Sequence, residues 1–129
     1  MGWIEDTVAD FGRRIGLPEL DFGTHGVATL SFDSGALLAV EPVQRGACGE
    51  VLVYLGRPLG YDAPRLVRAA LKRAHFDQAG SMDVQIGTRG QGPDTLLVAL
   101  IRLPEREFTP QALERALEHL NRWLDSLTR

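Results

Sequence analysis

The order in which helical and strand-like patterns follow one another is the feature that most restricts the fold of this 129-residue chain. A helical pattern comes first, then three strand-like runs, a second helix, two more strand-like runs and a last helix. A period of 3.6 residues puts apolar side chains on one stripe of a helix, and a period of two puts them on one face of a strand. The order predicts a single α+β domain over 1–129, α-β-β-β-α-β-β-α, a sandwich of helices packed on a mainly antiparallel, twisted sheet.

Three segments carry the helical pattern. The first covers residues 3–15 and ends before a glycine and a proline, residues that stop a helix. The second covers 62–76 and has Pro64 in its first turn, where the missing N–H leaves no hydrogen bond unmade. Thr109 and Pro110 begin the third as cap and first helical residue. Alanines occupy the centre of the second helix's apolar side, which fits either a sheet beneath it or a twin helix across a dimer.

Five runs carry the strand-like pattern. They cover residues 27–32, 36–43, 50–56, 84–89 and 95–102. A turn at Asp33-Ser34-Gly35 and a second loop with two glycines separate the first three runs, which predicts an antiparallel meander. The segment from Thr95 to Ile101 is apolar at nearly every position, so we expect a central strand that is covered on both faces.

The composition is that of an ordinary globular protein, with 44% hydrophobic and 24% charged residues. Because Cys48 is the single cysteine, no disulfide can form within the chain, which fits a reducing cytosol. No run approaches the roughly 20 apolar residues of a membrane-spanning helix. Glu5 and Asp6 stand where a signal peptide would be basic, so we expect a cytoplasmic protein.

The net charge of −3 is unevenly distributed. Residues 1–62 hold nine acids and four bases, whereas residues 63–129 hold eight acids and ten bases. Four of those bases are close together in the second helix, with no acid between them: Arg65, Arg68, Lys72 and Arg73. Such a group either binds phosphates or forms a solvated helix face.

No motif in the chain predicts a catalytic, cofactor or metal site. The glycine-rich segment 87–92 joins two strands and lacks the Lys-Ser/Thr of a phosphate-binding loop, so we expect a hairpin turn. His25, His75 and His119 are far apart, without the spacing of metal ligands. Glu41 lies within an apolar strand, where it is either a carboxylate with a shifted pKa or an outward-facing side chain.

Three segments resemble the small class I chaperones of type III secretion systems, which have the CesT/SycE-like fold. These segments are Phe11 to Pro18 (FGRRIGLP), Gly35 to Glu41 (GALLAVE) and Val51 to Leu55 (VLVYL). Those chaperones share the order of elements, the length and the acidic balance. The opening Trp3-Ile4-Glu5 brings this sequence closest to the SycN branch of the family.

The resemblance implies a dimeric chaperone without enzymatic activity or cofactor, located in the bacterial cytosol or at the inner face of the secretion apparatus. Such a chaperone binds the N-terminal region of a secreted protein in extended form. In the SycN branch the partner is a YscB-type co-chaperone and the cargo is a YopN-type gatekeeper, whereas most class I relatives form homodimers. The sequence leaves the choice between those two assemblies open.

On the family pattern, cargo contacts fall on the first helix and the first three strands. The corresponding apolar positions are Ile4, Val8, Phe11, Leu30, Phe32, Leu38 and Val53. The dimer contacts fall on the second helix and the strands after it, and the candidate residues are Leu66, Ala70, Leu71 and Ala74. Trp3 and Phe11 either anchor a partner or complete the core. Two alternatives stay open: a small α+β enzyme or ligand-binding domain with a closed polar pocket, and a free-standing adaptor of the same fold.

Overall fold

The computed structural model describes residues 3–17, 20, 26–45, 48–60, 63–76, 83–90 and 92–127. The α-helices are α1 (Trp3–Arg14), α2 (Ala63–Phe76) and α3 (Pro110–Ser126). The strands are β1 (Ala28–Ser31), β2 (Leu37–Arg45), β3 (Cys48–Pro58), β4 (Gln85–Arg89) and β5 (Leu96–Pro104). Their order confirms the predicted α+β fold. Pro18, His25 and Asp62, which entered the predictions above, lie outside the described residues.

The five strands form one antiparallel sheet in the order β1-β2-β3-β5-β4. The predicted meander of the first three strands is confirmed. At its first turn Gly35 adopts a φ of 91°, a left-handed conformation that glycine reaches without strain. β4 pairs antiparallel with β5, and a short 3-10 turn at Gly92–Asp94 lies between them, so the predicted hairpin is confirmed as well.

The register of the sheet builds the centre of the core. Val53 on β3 lies opposite Val40 on β2 and Ile101 on β5, and these three side chains are 0%, 0% and 2% exposed. Because alternate side chains of a strand share one face, this register gives the sheet a continuous apolar surface. The buried residues of all three helices belong to the same cluster as these side chains, so the helices pack on this one face.

Hydrogen bonds hold the last helix in place at both ends. At its start the Thr109 hydroxyl accepts a hydrogen bond from the Ala112 backbone N–H at 3.0 Å, which confirms the predicted cap. Near its end Arg57, which projects from β3, donates to the Asp125 carboxylate at 2.7 Å. The helix therefore holds a fixed angle across the sheet, and α1 packs against it.

The alanine side of α2 packs on the chain's own sheet. Ala70 is fully buried, and Leu66 lines a small cavity of about 50 Å³ together with Leu97, Leu124 and Leu127. Small side chains let the helix axis approach its neighbour closely. The chain's own sheet thus lies beneath the helix, and the twin helix across a dimer stays a prediction.

The other side of the sheet is not covered by any helix that the structure describes. Along β5 the side chains alternate between buried positions, such as Leu97 and Ala99, and half-buried ones, such as Val98 and Leu100. The prediction that β5 is covered on both faces is therefore wrong for the described chain. Its physical reason is that all three helices pack against the same face.

Candidate partner-binding surfaces

We call the uncovered side of the sheet the open face. Its apolar side chains come from β2, β3 and β5, and its polar ones come from β2, β3, β4 and β5. They are Leu37, Ala39, Val43, Leu52, Tyr54, Leu96, Val98 and Leu100, with Glu41, Glu50, Gln85, Arg89 and Arg102. A groove of about 430 Å³ crosses this face over β3, β5 and β4. A continuous apolar surface of this kind is typical of protein interaction sites.

Tyr54 and Glu41 form a polar pair at one side of this groove. The Tyr54 hydroxyl donates a hydrogen bond to the Glu41 carboxylate at 3.4 Å. Burial raises the pKa of Tyr54, and the neighbouring negative charge of Glu41 raises it further, whereas Arg89 lowers it. Glu41 is thus neither an isolated carboxylate in the core nor a freely solvated one: it lies half-buried on the open face.

Arg102 forms a second polar group on the same face. Its guanidinium lies 3.5 Å from the Glu50 carboxylate and donates to the side-chain oxygen of Gln85 at 2.9 Å. Both polar groups of the open face thus have partners within the chain, whereas the apolar strip between them, Leu52, Val98 and Leu100, faces the groove. The open face thus has apolar side chains at its centre, and the two polar groups at its margins make hydrogen bonds within the chain.

A larger cavity of about 670 Å³ lies where β5 extends beyond β4, next to the start of α3. Its charged residues are Asp83, Arg102, Glu107 and Arg115. The described lining contains no His, Cys, Ser or Lys, and the Thr109 hydroxyl is used as the helix cap. Among the described residues there is also no group of three His, Cys, Asp or Glu side chains that could hold a metal ion.

The comparisons with known proteins agree with this architecture. A family model described as the type III secretory system chaperone SycN matches residues 3–127. The chain belongs to this chaperone family. A chain of the solved HopA1-SchA chaperone-effector complex has the same fold, with 20% identity, a TM-score of 0.63, and coverage of 95% of this chain and 90% of that one. No curated protein is significantly similar to this chain.

A type III secretion chaperone works by binding other proteins, so the exposed apolar residues of this SycN-family chain are its candidate contacts. Of the seven predicted cargo residues, Ile4, Val8, Phe11, Leu38 and Val53 are at most 8% exposed and lie in the core. Leu30 is half-buried against that core, and Phe32 is 40% exposed. A partner can therefore reach the Phe32 ring in the folded chaperone, but it reaches the five core side chains only if α1 or the sheet moves.

The four predicted dimer residues of α2 divide in a similar way. Ala70 is fully buried, and Leu66 and Ala74 pack partly against the core. Leu71 points away from the core and is 59% exposed. Of the four, Leu71 is the side chain that a partner can contact without displacing α2.

Two exposed residues of α1 and its C-terminal turn also belong to the accessible apolar surface. The Trp3 ring is 46% exposed and lies 6.1 Å, between ring centroids, from the buried Phe108. Ile15 is 43% exposed. Trp3 was singled out by its aromatic character. The helical period predicts that Ile15 lies on one stripe with Ile4, Val8 and Phe11, but periodicity does not show that the end of the helix extends beyond its neighbour. In the part of the chain that the structure describes, every helix is too short or too polar to span a bilayer.

Proposed function

We propose that this chain is a cytoplasmic chaperone that keeps the N-terminal region of a secreted protein extended, and that a second small chaperone covers its open face. The observation that carries the proposal is the apolar strip of Leu52, Val98 and Leu100, which is half-buried in the single chain. Family membership supports the protein-binding role. The SycN branch favours a YscB-type co-chaperone as the second chain and a YopN-type gatekeeper as the cargo.

The open face suits a lasting contact between two folded chains. Burying apolar surface contributes roughly 25 cal/mol per Å², so a sheet face with three adjacent aliphatic side chains is a strong source of affinity. Polar groups at its margin, such as the Tyr54-Glu41 pair, keep their hydrogen bonds when a partner covers the centre. The second chaperone would then cover the second face of β5, as the apolar character of this strand predicts.

A cargo segment in extended form needs a different kind of surface. β1 has four residues and forms an edge of the sheet, and the exposed Phe32 ring follows it directly. An added strand gains main-chain hydrogen bonds at a sheet edge, and its side chains gain apolar contacts beside it. We place the cargo at this edge, with Phe32 as an apolar contact and Trp3 and Ile15 as further candidates.

The open-face assignment is tested by light scattering and by co-purification with a YscB-type protein. We expect a two-chain complex for the parent protein and its loss in Val98→Asp, because a charge in the centre of a covered face has no partner. Gln111→Asp is the control, since Gln111 is exposed on α3 and does not line the groove. A stable folded monomer that binds neither itself nor the co-chaperone would refute the assignment.

The cargo assignment is tested separately by calorimetry with a peptide from the N-terminal region of a YopN-type protein. We expect Phe32→Ser to weaken binding by about tenfold, equal to about 1.4 kcal/mol, because it removes an exposed aromatic contact. Ser31→Ala, at the adjacent exposed position, is the control. Unchanged affinity in Phe32→Ser would place the cargo elsewhere.

A further inference from the structure

The two outermost strands of the sheet are shorter than the strands with which they pair. β1 pairs with residues 37–40 of β2, which continues through residues 41–45. β4 pairs with residues 96–100 of β5, which continues through residues 101–104. Because β2 and β5 both pair with β3, the two continuations lie at the same end of the sheet. We call this part the three-stranded end and define it as residues 41–45, 48–53 and 101–104.

The three-stranded end has two outer edges, one along β2 and one along β5. None of the described strands pairs with β2 or β5 on the outer side of this end. The N–H and C=O groups of an uncovered strand edge can pair with a strand of another molecule. A protein that receives extended segments is exposed to this reaction with a second copy of itself, so the residues at these two edges matter.

Pro42 lies within the edge along β2. It is opposite Val51 in a register that continues on both sides of it. In an antiparallel pair of strands, hydrogen-bonded and non-hydrogen-bonded pairs of residues alternate. Since proline has no N–H, Pro42 and Val51 form a non-hydrogen-bonded pair, and the backbone of Pro42 faces away from β3. The first outward-facing residue of β2 beyond β1 therefore has no donor.

Pro104 has the same position on the other edge. It is opposite Glu50 on β3, so its backbone also faces outward, on the side where β4 has already ended. Pro104 also comes directly before the 3-10 helix Glu105–Glu107, so it ends its strand. Pro42 does not end a strand, because β2 continues to Arg45. Strand termination therefore does not explain Pro42.

Packing does not explain Pro42 either. Alternate side chains of a strand share one face, so Pro42 lies on the core side with Leu38 and Val40, which are 3% and 0% exposed. Valine is favoured at such a position, and proline is disfavoured in strands. A valine would provide an apolar side chain and a backbone N–H together. The feature that proline adds is the absence of the N–H, which costs no ladder hydrogen bond only at an outer edge.

We propose that Pro42 and Pro104 prevent strand pairing at the three-stranded end, so that two copies of the chaperone do not join there edge to edge. An added strand would meet an outward-facing residue without an N–H on either side of this end. The outer edge of β1 then stays available, and the cargo strand is restricted to it. The restriction of the cargo to β1 rests on the function proposed above, whereas the effect on a second copy does not.

Light scattering and sedimentation velocity test the proposal with Pro42→Val and Pro104→Val, measured from about 1 µM to about 100 µM. We expect the average mass of each variant to rise with concentration to at least about twice that of the parent chain, because edge pairing joins two or more copies. Circular dichroism checks that each variant is folded. The two prolines lie on different strands, so one variant still tests the proposal if the other unfolds the chain.

Pro58→Val is the matched control, since it makes the same change at the end of β3. The chain itself lies beside Pro58, because a Cβ added at Gly35 would be 3.0 Å from the Pro58 Cγ. We expect Pro58→Val to keep the mass of the parent chain. If Pro58→Val associates as strongly as the edge variants, or if neither edge variant associates more than the parent, the proposal is wrong.

Hydrogen exchange measured by mass spectrometry locates the new contact. In Pro42→Val we expect the amides of residues 41–45 to exchange more slowly at high protein concentration than at low concentration, because an added strand protects them. Protection that appears only in other parts of the chain would overturn the proposal.

Comparison with the cargo peptide separates this proposal from the proposed function. If Pro42→Val associates and Phe32→Ser leaves cargo affinity unchanged, the effect of the prolines is supported and the cargo site at β1 is wrong. If Phe32→Ser weakens cargo binding and the proline variants behave as the parent does, the cargo site is supported and the effect of the prolines is wrong.

Discussion

Gly12 lies at the closest approach between α1 and the chain that follows it, and replacing it by alanine gives a sharp test of the packing. The added Cβ would lie 2.7 Å from the Leu17 carbonyl oxygen and 3.3 Å from the Leu20 Cβ. The first atom belongs to the backbone, and Leu20 is 1% exposed, so neither can move aside cheaply. Leu17 is also held in place, because its N–H donates to the Gly12 carbonyl at 2.7 Å.

Two effects of Gly12→Ala oppose each other. Alanine favours the helix by about 1 kcal/mol relative to glycine. Overpacking a tight contact costs about 1–3 kcal/mol, and here the clash is with backbone. The clash is the larger effect, so we expect a net loss of up to about 2 kcal/mol, seen as a fall in Tm of several degrees.

Gly87→Ala is the matched control for the same chemical change. A Cβ on Gly87 would meet no atom within 4 Å, and its φ is not positive. The variant is expected to be neutral or to gain about 0.4–1 kcal/mol, because it restricts the unfolded chain. Denaturant titration of both variants measures the two free energies of unfolding. If Gly12→Ala proves as stable as Gly87→Ala, the close contact beneath α1 does not exist in solution.

Three further predictions concern the core, the open face and the last helix. Phe11→Asp, in contrast to Phe32→Ser, is expected to unfold the chain, because Phe11 is 3% exposed; a cooperative melt near the parent Tm would contradict this. The pKa of Tyr54 is raised above 10.0 in the folded chain, so the contribution of Tyr54 to stability is complete below pH 10 and declines as the pH rises through the raised pKa. Denaturation measured across this pH range should show no such decline in Tyr54→Phe. Thr109→Ala is expected to lose about 1 kcal/mol in urea titration, and an unchanged midpoint would exclude the cap.

The sequence identified most of the architecture because local rules and tertiary packing agree. Pro64 and Pro110 mark the starts of helices in the sequence and lie in the first turns of α2 and α3. The turn before β2 was recognisable from Gly35, which takes the left-handed φ that such turns require. Elements of this kind depend on residues next to one another in the chain, which is why they can be predicted.

The choice between core and surface could not be made in the same way. Phe11 and Phe32 are both apolar and aromatic, yet one is 3% and the other 40% exposed. Periodicity gives the apolar side of a helix or strand, but not which of its members a neighbouring element covers. The predicted cargo and dimer positions therefore mix residues of the core with accessible ones, and only Phe32 and Leu71 among them are strongly exposed.

The sequence predicted the order of elements and the starts of the last two helices from residue spacing and caps, and segments such as FGRRIGLP gave the resemblance to the family. The placement of the helices on one face of the sheet could be read from the folded structure alone. Because the described helices pack on one face, the second apolar face of β5 is not covered by them. The physical reason is that the side chains of a strand show that both of its faces are apolar, but they do not show whether the same chain or a partner covers the second face.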